Sequence, residues 1–102
     1  MVAQATDGLD AVQKAEDLQP DLILLDLGLP KLNGMEVLRR IRKLSIHSKI
    51  LIISQNSSPE IVQAALSQGA HGYLLKSDAD ELQDAIEAVL QNKPFVSCTL
   101  SG

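Results

Sequence analysis

Three short apolar runs punctuate the chain, at positions 22–25 (Leu-Ile-Leu-Leu), 50–53 (Ile-Leu-Ile-Ile) and 73–75 (Tyr-Leu-Leu). Each is followed by a polar residue: Asp26, Ser54 and Lys76. Short continuous apolar runs, without polar alternation, predict strands buried on both faces of a parallel sheet. Gly28 and Pro30 supply the turn chemistry that closes the first run. A weaker strand is expected at positions 2–5 (Val-Ala-Gln-Ala).

Between the runs the apolar spacing becomes helical. Leu9, Val12 and Ala15, with Ala11 and Leu18, mark a first helix, and Val37, Leu38, Ile41 and Leu44 a second. Ile61, Val62, Ala65 and Leu66 mark a third, and Leu82, Ala85, Ile86, Val89 and Leu90 a fourth, the most regular. Thr6 or Asp7, Asn33 with Glu36, Ser58 before Pro59, and Asp78 with Glu81 are the expected amino-terminal caps. Gly69 is expected to end the third helix in the left-handed conformation. Positions 95–102 read as a tail where a linker starts.

Strand and helix thus alternate four times within one domain spanning residues 1–102. This order predicts a three-layer α/β/α fold, with a parallel sheet, right-handed crossovers and helices on its faces. All strand carboxyl ends then point one way. Asp26, Ser54 and Lys76 should converge at the rim where open α/β sheets hold their ligands.

Charge narrows the function. The net charge of −4 and pI near 4.9 argue against a nucleic-acid binder, and the cations Arg39, Arg40, Arg42 and Lys43 read as the wet face of the second helix. No apolar run is long enough to span a bilayer, so no membrane partner and a cytoplasmic location are expected. The single Cys98 reads as a packing residue, and His47 and His71 as surface or loop residues without metal-ligand spacing. Tyr73 reads by default as packing.

An aspartate, a hydroxyl and an ammonium at one rim suit the holding of a phosphoryl group. Asp26 can take a phosphoryl group to form an acyl phosphate, Ser54 can hydrogen-bond one of its oxygens, and Lys76 can neutralise another. The modification adds about 1.5 to 2 negative charges. Its readout is a shift of conformational population rather than turnover, so no enzyme is expected.

The segments Leu-Leu-Asp26-Leu-Gly28-Leu-Pro30, Asn33-Gly34-Met35-Glu36, Ser54 after Ile-Leu-Ile-Ile, and Gly69-Ala-His-Gly-Tyr73-Leu-Leu-Lys76 resemble the receiver domain of two-component response regulators. The similarity is greatest to the subgroup with a helix-turn-helix DNA-binding output. It covers nearly the whole chain and implies a flavodoxin-like receiver fold. It also implies Asp26 as phospho-acceptor, Ser54 as switch hydroxyl, Lys76 as the family lysine, Tyr73 as switch aromatic, and the Gly28 carbonyl as a contributor to a Mg2+ site. The implied partner is a sensor histidine kinase, with DNA reached only through an output domain outside this chain.

Two departures accompany the resemblance. Receivers begin with a strand ending in an acidic pair that binds Mg2+, followed by a helix. Only 25 residues precede Asp26, and one strand and one helix already use them. The fold is therefore expected to be truncated at its N-terminus, with an incomplete metal site of Asp26 and Gly28 and Mg2+ weak or absent. The absent strand is expected to leave an apolar edge beside the Asp26 strand, inviting a homo-oligomer. Gln55 is the second departure, standing where the family usually has a small residue. Two rival readings are an interaction module independent of phosphorylation, and a phosphatase of the haloacid-dehalogenase type. The second lacks its further acid, because Gly28 occupies that position.

Overall fold

The structure, a computed structural model, describes residues 2–5, 8–26, 32–44, 48–55 and 58–96. Within them run β1 (Val2–Ala5), α1 (Gly8–Leu18), β2 (Leu22–Asp26), α2 (Leu32–Leu44), β3 (Lys49–Ser54), α3 (Pro59–Ser67), β4 (Gly72–Leu75), a 3-10 helix (Lys76–Glu81), α4 (Leu82–Leu90) and β5 (Phe95–Val96). The five strands form one parallel sheet in the order β1-β2-β3-β4-β5.

Strand alternation divides the core in two. Ile23, Leu25, Ile50, Ile52, Tyr73 and Leu75 pack on one face with residues of α1, α2 and α3, among them Ala11, Ala15, Leu38, Ile41, Val62 and Ala65. Leu22, Leu24, Leu51 and Leu74 face the other way, against Ala85 and Val89 of α4. Residues 22–25 are buried because β2 has a strand on each side and side chains covering both faces, as their unbroken apolar run predicts. Each such side chain contributes about 1.5 to 3 kcal/mol of burial.

Several details differ from the sequence-based expectation. The strand beside β2 is not left open: β1 pairs with it directly, from Val2↔Leu22 to Ala5↔Leu25. Self-pairing through an apolar edge beside the Asp26 strand therefore has no edge to use. The Lys14 ammonium, held near Asp10, also donates to the Gln4 carbonyl of β1. A fifth strand forms at Phe95–Val96, within the stretch expected to be a tail, and pairs with Gly72 and Tyr73. Because α4 lies on the opposite face from α1, α2 and α3 while the sheet continues in the same direction, the last crossover has the opposite hand to the preceding three. The expected uniform handedness fails there, at a strand of two residues.

The helix starts differ as well. α2 begins at Leu32, before Asn33, and the Asp78–Glu81 segment is not the first turn of α4 but part of the 3-10 helix, broken by a non-helical Asp78. α4 starts only at Leu82, with no side-chain cap from Glu81. Ser58 does stand before Pro59 at the start of α3, but its side chain makes no capping hydrogen bond. Thr6 and Asp7 lie outside the described residues, as do His47 and Cys98. Gly69 does end its helix with φ +117°, and a Cβ there would meet the Arg42 side chain at 2.8 Å.

His71 departs most from its expected surface role. At the amino edge of the sheet its backbone N–H donates to the Ile50 carbonyl at 2.8 Å, while its Nδ1 accepts from the Ile50 N–H at 3.1 Å. Its carbonyl accepts from the Phe95 N–H. Burial, with Arg42 and Lys49 nearby, pushes the imidazole pKa down to about 4. The ring is half-buried and stands in for a strand carbonyl at a junction of β3, β4 and β5.

Candidate functional site

The site occupies the carboxyl edge of the sheet. Asp26 is the last residue of β2 and pairs with Ile53 of β3, which pairs with Leu74 of β4. Lys76 follows β4 and turns back across this row, bringing its Nζ to 3.0 Å from Asp26 Oδ1. About a third of each side chain is exposed, 29% for Asp26 and 36% for Lys76, so the pair is open to a ligand from solvent. An ion pair this exposed contributes only about 0 to 1 kcal/mol to stability. Its interest is chemical: a carboxylate and a cation are held side by side at the rim of the sheet.

Ser54 ends β3 at the same edge, opposite Leu75, yet it does not join that pair. Asp26 lies opposite Ile53, on the α4 face, so Ser54, one residue further on, belongs to the other face with Ile52 and Tyr73. There the Ser54 hydroxyl and the Tyr73 phenol share a hydrogen bond, both side chains being buried. Burial raises the phenol pKa, and the hydrogen bond with Ser54 partly opposes the rise. The expected convergence of three residues is therefore a rim with two neighbouring pairs: Asp26 with Lys76 on one side, and Ser54 with Tyr73 on the other. The sequence reading placed Asp26, Ser54 and Lys76 at this edge and Tyr73 in the core, but overlooked that strand alternation separates Ser54 from the other two by face.

Gly28 lies outside the described residues. Among the described residues no three His, Cys, Asp or Glu side chains come together as a metal site. Asp26, already paired with Lys76, is a donor set of one carboxylate, which does not fit the oxygen-rich shell that a hard Mg2+ ion demands. Gln55, following Ser54, is exposed. Sequence reasoning missed the floor of the site: Ile53, Leu74, Ala79 and Leu82 line a cavity beside Asp26 and Lys76. No polar signal marks such residues, because apolar spacing alone assigns them to the core.

Comparison with known proteins shows the family and the fold. Residues 1–87 match the family model described as the response regulator receiver domain. The chain is 42% identical over 91 residues to the nitrate/nitrite response regulator protein NarL of Escherichia coli strain K12, covering 89% of this chain and 41% of that protein. It is 38% identical over 97 residues to the transcriptional regulatory protein DegU of Brevibacillus brevis, covering 94% of this chain and 41% of that protein. The chain thus spans well under half the length of these relatives. Among solved structures, a LuxR-family two-component response regulator from Aurantimonas sp. SI85-9A1 superposes with a TM-score of 0.84 at 34% identity, covering 95% of this chain and 70% of that one.

Proposed function

From a chain that belongs to the response regulator receiver family, we propose a phosphorelay receiver in which Asp26 is the phospho-acceptor. Response regulators are signalling proteins that partner with histidine kinases, and the relatives NarL and DegU are named as regulators. The observation that carries the reading is the 3.0 Å contact between the Asp26 carboxylate and the Lys76 ammonium at the carboxyl edge of the sheet.

In the proposed reaction an Asp26 carboxylate oxygen attacks the phosphorus of a phosphohistidine on a sensor kinase. The P–O bond forms, the P–N bond breaks, and the electron pair returns to the imidazole. Lys76 leaves the carboxylate for a phosphoryl oxygen and offsets the added charge. Ser54 then exchanges its bond with Tyr73 for one to the phosphoryl group, and loss of that buried bond is the switch by which Tyr73 reports modification. Receivers generally bind magnesium, but among the described residues no three His, Cys, Asp or Glu side chains come together, so the donor set here does not fit that ion. The chain is read as the cytoplasmic receiver part of a transcription regulator, with DNA contacted by an output domain beyond it. Among the described residues no helix is long and apolar enough to cross a membrane.

Incubation with acetyl phosphate and Mg2+, followed by intact mass measurement, tests the assignment. One added phosphoryl group that disappears in Asp26→Ala is the expected result. No adduct on the native chain overturns it and favours the reading that the small donor set also supports, an interaction module that works without phosphorylation.

A further inference from the structure

β5 is the least anchored strand of the sheet. It has two residues, its register runs only through Gly72 and Tyr73, and the crossover that reaches it has a hand that about one parallel connection in fifty adopts. His71 shows the contrast on a single residue. Its N–H donates to the Ile50 carbonyl of β3 at 2.8 Å, whereas its carbonyl accepts from the Phe95 N–H at 3.4 Å, beyond the usual range for such a bond. Phe95 stands opposite Gly72, which offers no side chain, and both Phe95 and Val96 remain half-buried. The approach to β5 is equally loose. The Asn92 and Lys93 N–H groups donate to the Val89 and Ala88 carbonyls at 3.0 and 2.8 Å, closing the end of α4, and Pro94, exposed and without an N–H, follows at once. β5 can therefore leave the sheet without unwinding α4.

The seat of β5 adjoins the Ser54–Tyr73 pair. Val96 is in register with Tyr73, so both side chains lie on the same face, where Val96 packs against the cluster that contains Tyr73. The Tyr73 phenol is in turn held by its hydrogen bond with Ser54. We propose that β5 is a releasable strap on the edge of β4, held while Ser54 bonds Tyr73 and let go when that bond is lost. Resting on the acceptor reading above, phosphorylation of Asp26 draws Ser54 away, Tyr73 loses its fixed place beside Val96, and the chain from Pro94 onward comes free. The outer edge of β4 is bared at the same moment, so the signal leaves as a freed segment and an open strand edge.

Amide hydrogen exchange of the whole chain at neutral pH, followed residue by residue, tests this. In the native chain the Phe95 amide is expected to exchange at least about a hundredfold faster than the His71 amide, through local opening, while the Lys93 amide stays protected. Equal protection of Phe95 and His71 makes β5 an ordinary strand and overturns the strap. Tyr73→Phe, which removes the bond with Ser54 without any phosphoryl group, is expected to speed Phe95 exchange about tenfold further and to leave Lys93 unchanged. Ile41→Val, which weakens the core from α2, is expected to leave Phe95 unchanged. A Phe95 amide unaffected by Tyr73→Phe, or accelerated equally by Ile41→Val, overturns the coupling. Incubation with acetyl phosphate and Mg2+ separates the two readings. An adduct that accelerates Phe95 as Tyr73→Phe does is expected, and an adduct that leaves Phe95 unchanged overturns the strap alone. Absence of an adduct overturns the acceptor alone, and Tyr73→Phe then decides the strap.

Discussion

The Lys76 ammonium meets the Asp26 carboxylate across an intervening strand, passing the row in which Asp26, Ile53 and Leu74 stand side by side. The contact joins residues fifty positions apart in the chain through one register. Truncating the lysine separates chemistry from stability. Lys76→Ala is expected to change unfolding free energy by less than about 1 kcal/mol, because the pair is exposed. The rate of Asp26 phosphorylation should fall at least about tenfold, since neutralisation of the phosphoryl charge is lost. Urea unfolding and a time course of intact mass check the two halves.

Tyr73 offers a second separation. Its phenol is fully buried beside Ser54, so Tyr73→Phe removes one buried hydrogen bond and is expected to cost about 1 to 2 kcal/mol. Tyr73→Ala also opens a cavity in the core and should cost about 3 to 5 kcal/mol. Chemical denaturation of the two variants measures the difference. Phosphorylation of Tyr73→Phe is expected to proceed, but without the change in the Ser54 amide resonance that accompanies it in the native chain.

The imidazole of His71 makes stability depend on pH. Its pKa lies at about 4 in the folded chain and near 6.5 unfolded, so the fold favours the neutral ring. The unfolded state binds more protons between these values. This contribution is complete above about pH 6.5 and is lost as pH falls through 4, when protonation removes the lone pair that accepts the Ile50 N–H. The loss is about 2 kcal/mol, allowing for the solvent that reaches the half-buried ring. Urea unfolding at a series of pH values checks it: His71→Gln, which keeps an acceptor but does not titrate, should show a shallower decline than the native chain.

Gly69 carries the backbone where α3 turns back towards the sheet. With φ +117° and the Arg42 side chain 2.8 Å from an added Cβ, Gly69→Ala is expected to cost about 1 to 2 kcal/mol. Adding Arg42→Ala relieves the clash but not the dihedral, so the double variant should recover only part of the loss. Thermal unfolding of the three variants checks the order.

What the sequence displayed was set by how local each feature is. The apolar runs at residues 22–25, 50–53 and 73–75 revealed three strands, because burial on two faces requires apolar side chains on both. Gly69 was legible because only its type suits that turn. The pairing of β1 with β2 was not, since it depends on which strands are present to compete for an edge, and no single position records that. The division of the rim into Asp26–Lys76 and Ser54–Tyr73 follows from a register offset of one residue, which fixes the face but leaves no mark in composition. His71 escaped for a similar reason: its ring bonds to the backbone of a strand twenty-one positions earlier.

The order β1-β2-β3-β4-β5 has a kinetic meaning as well. Every neighbouring pair of strands is also consecutive along the chain, so each loop to be closed is a single crossover and no strand must wait for a distant one to arrive. Average contact separation stays short for a parallel sheet, which favours rapid folding by stepwise addition. A nascent chain can therefore zip up unit by unit as it is synthesised, amino end first, with each new strand finding its template already in place.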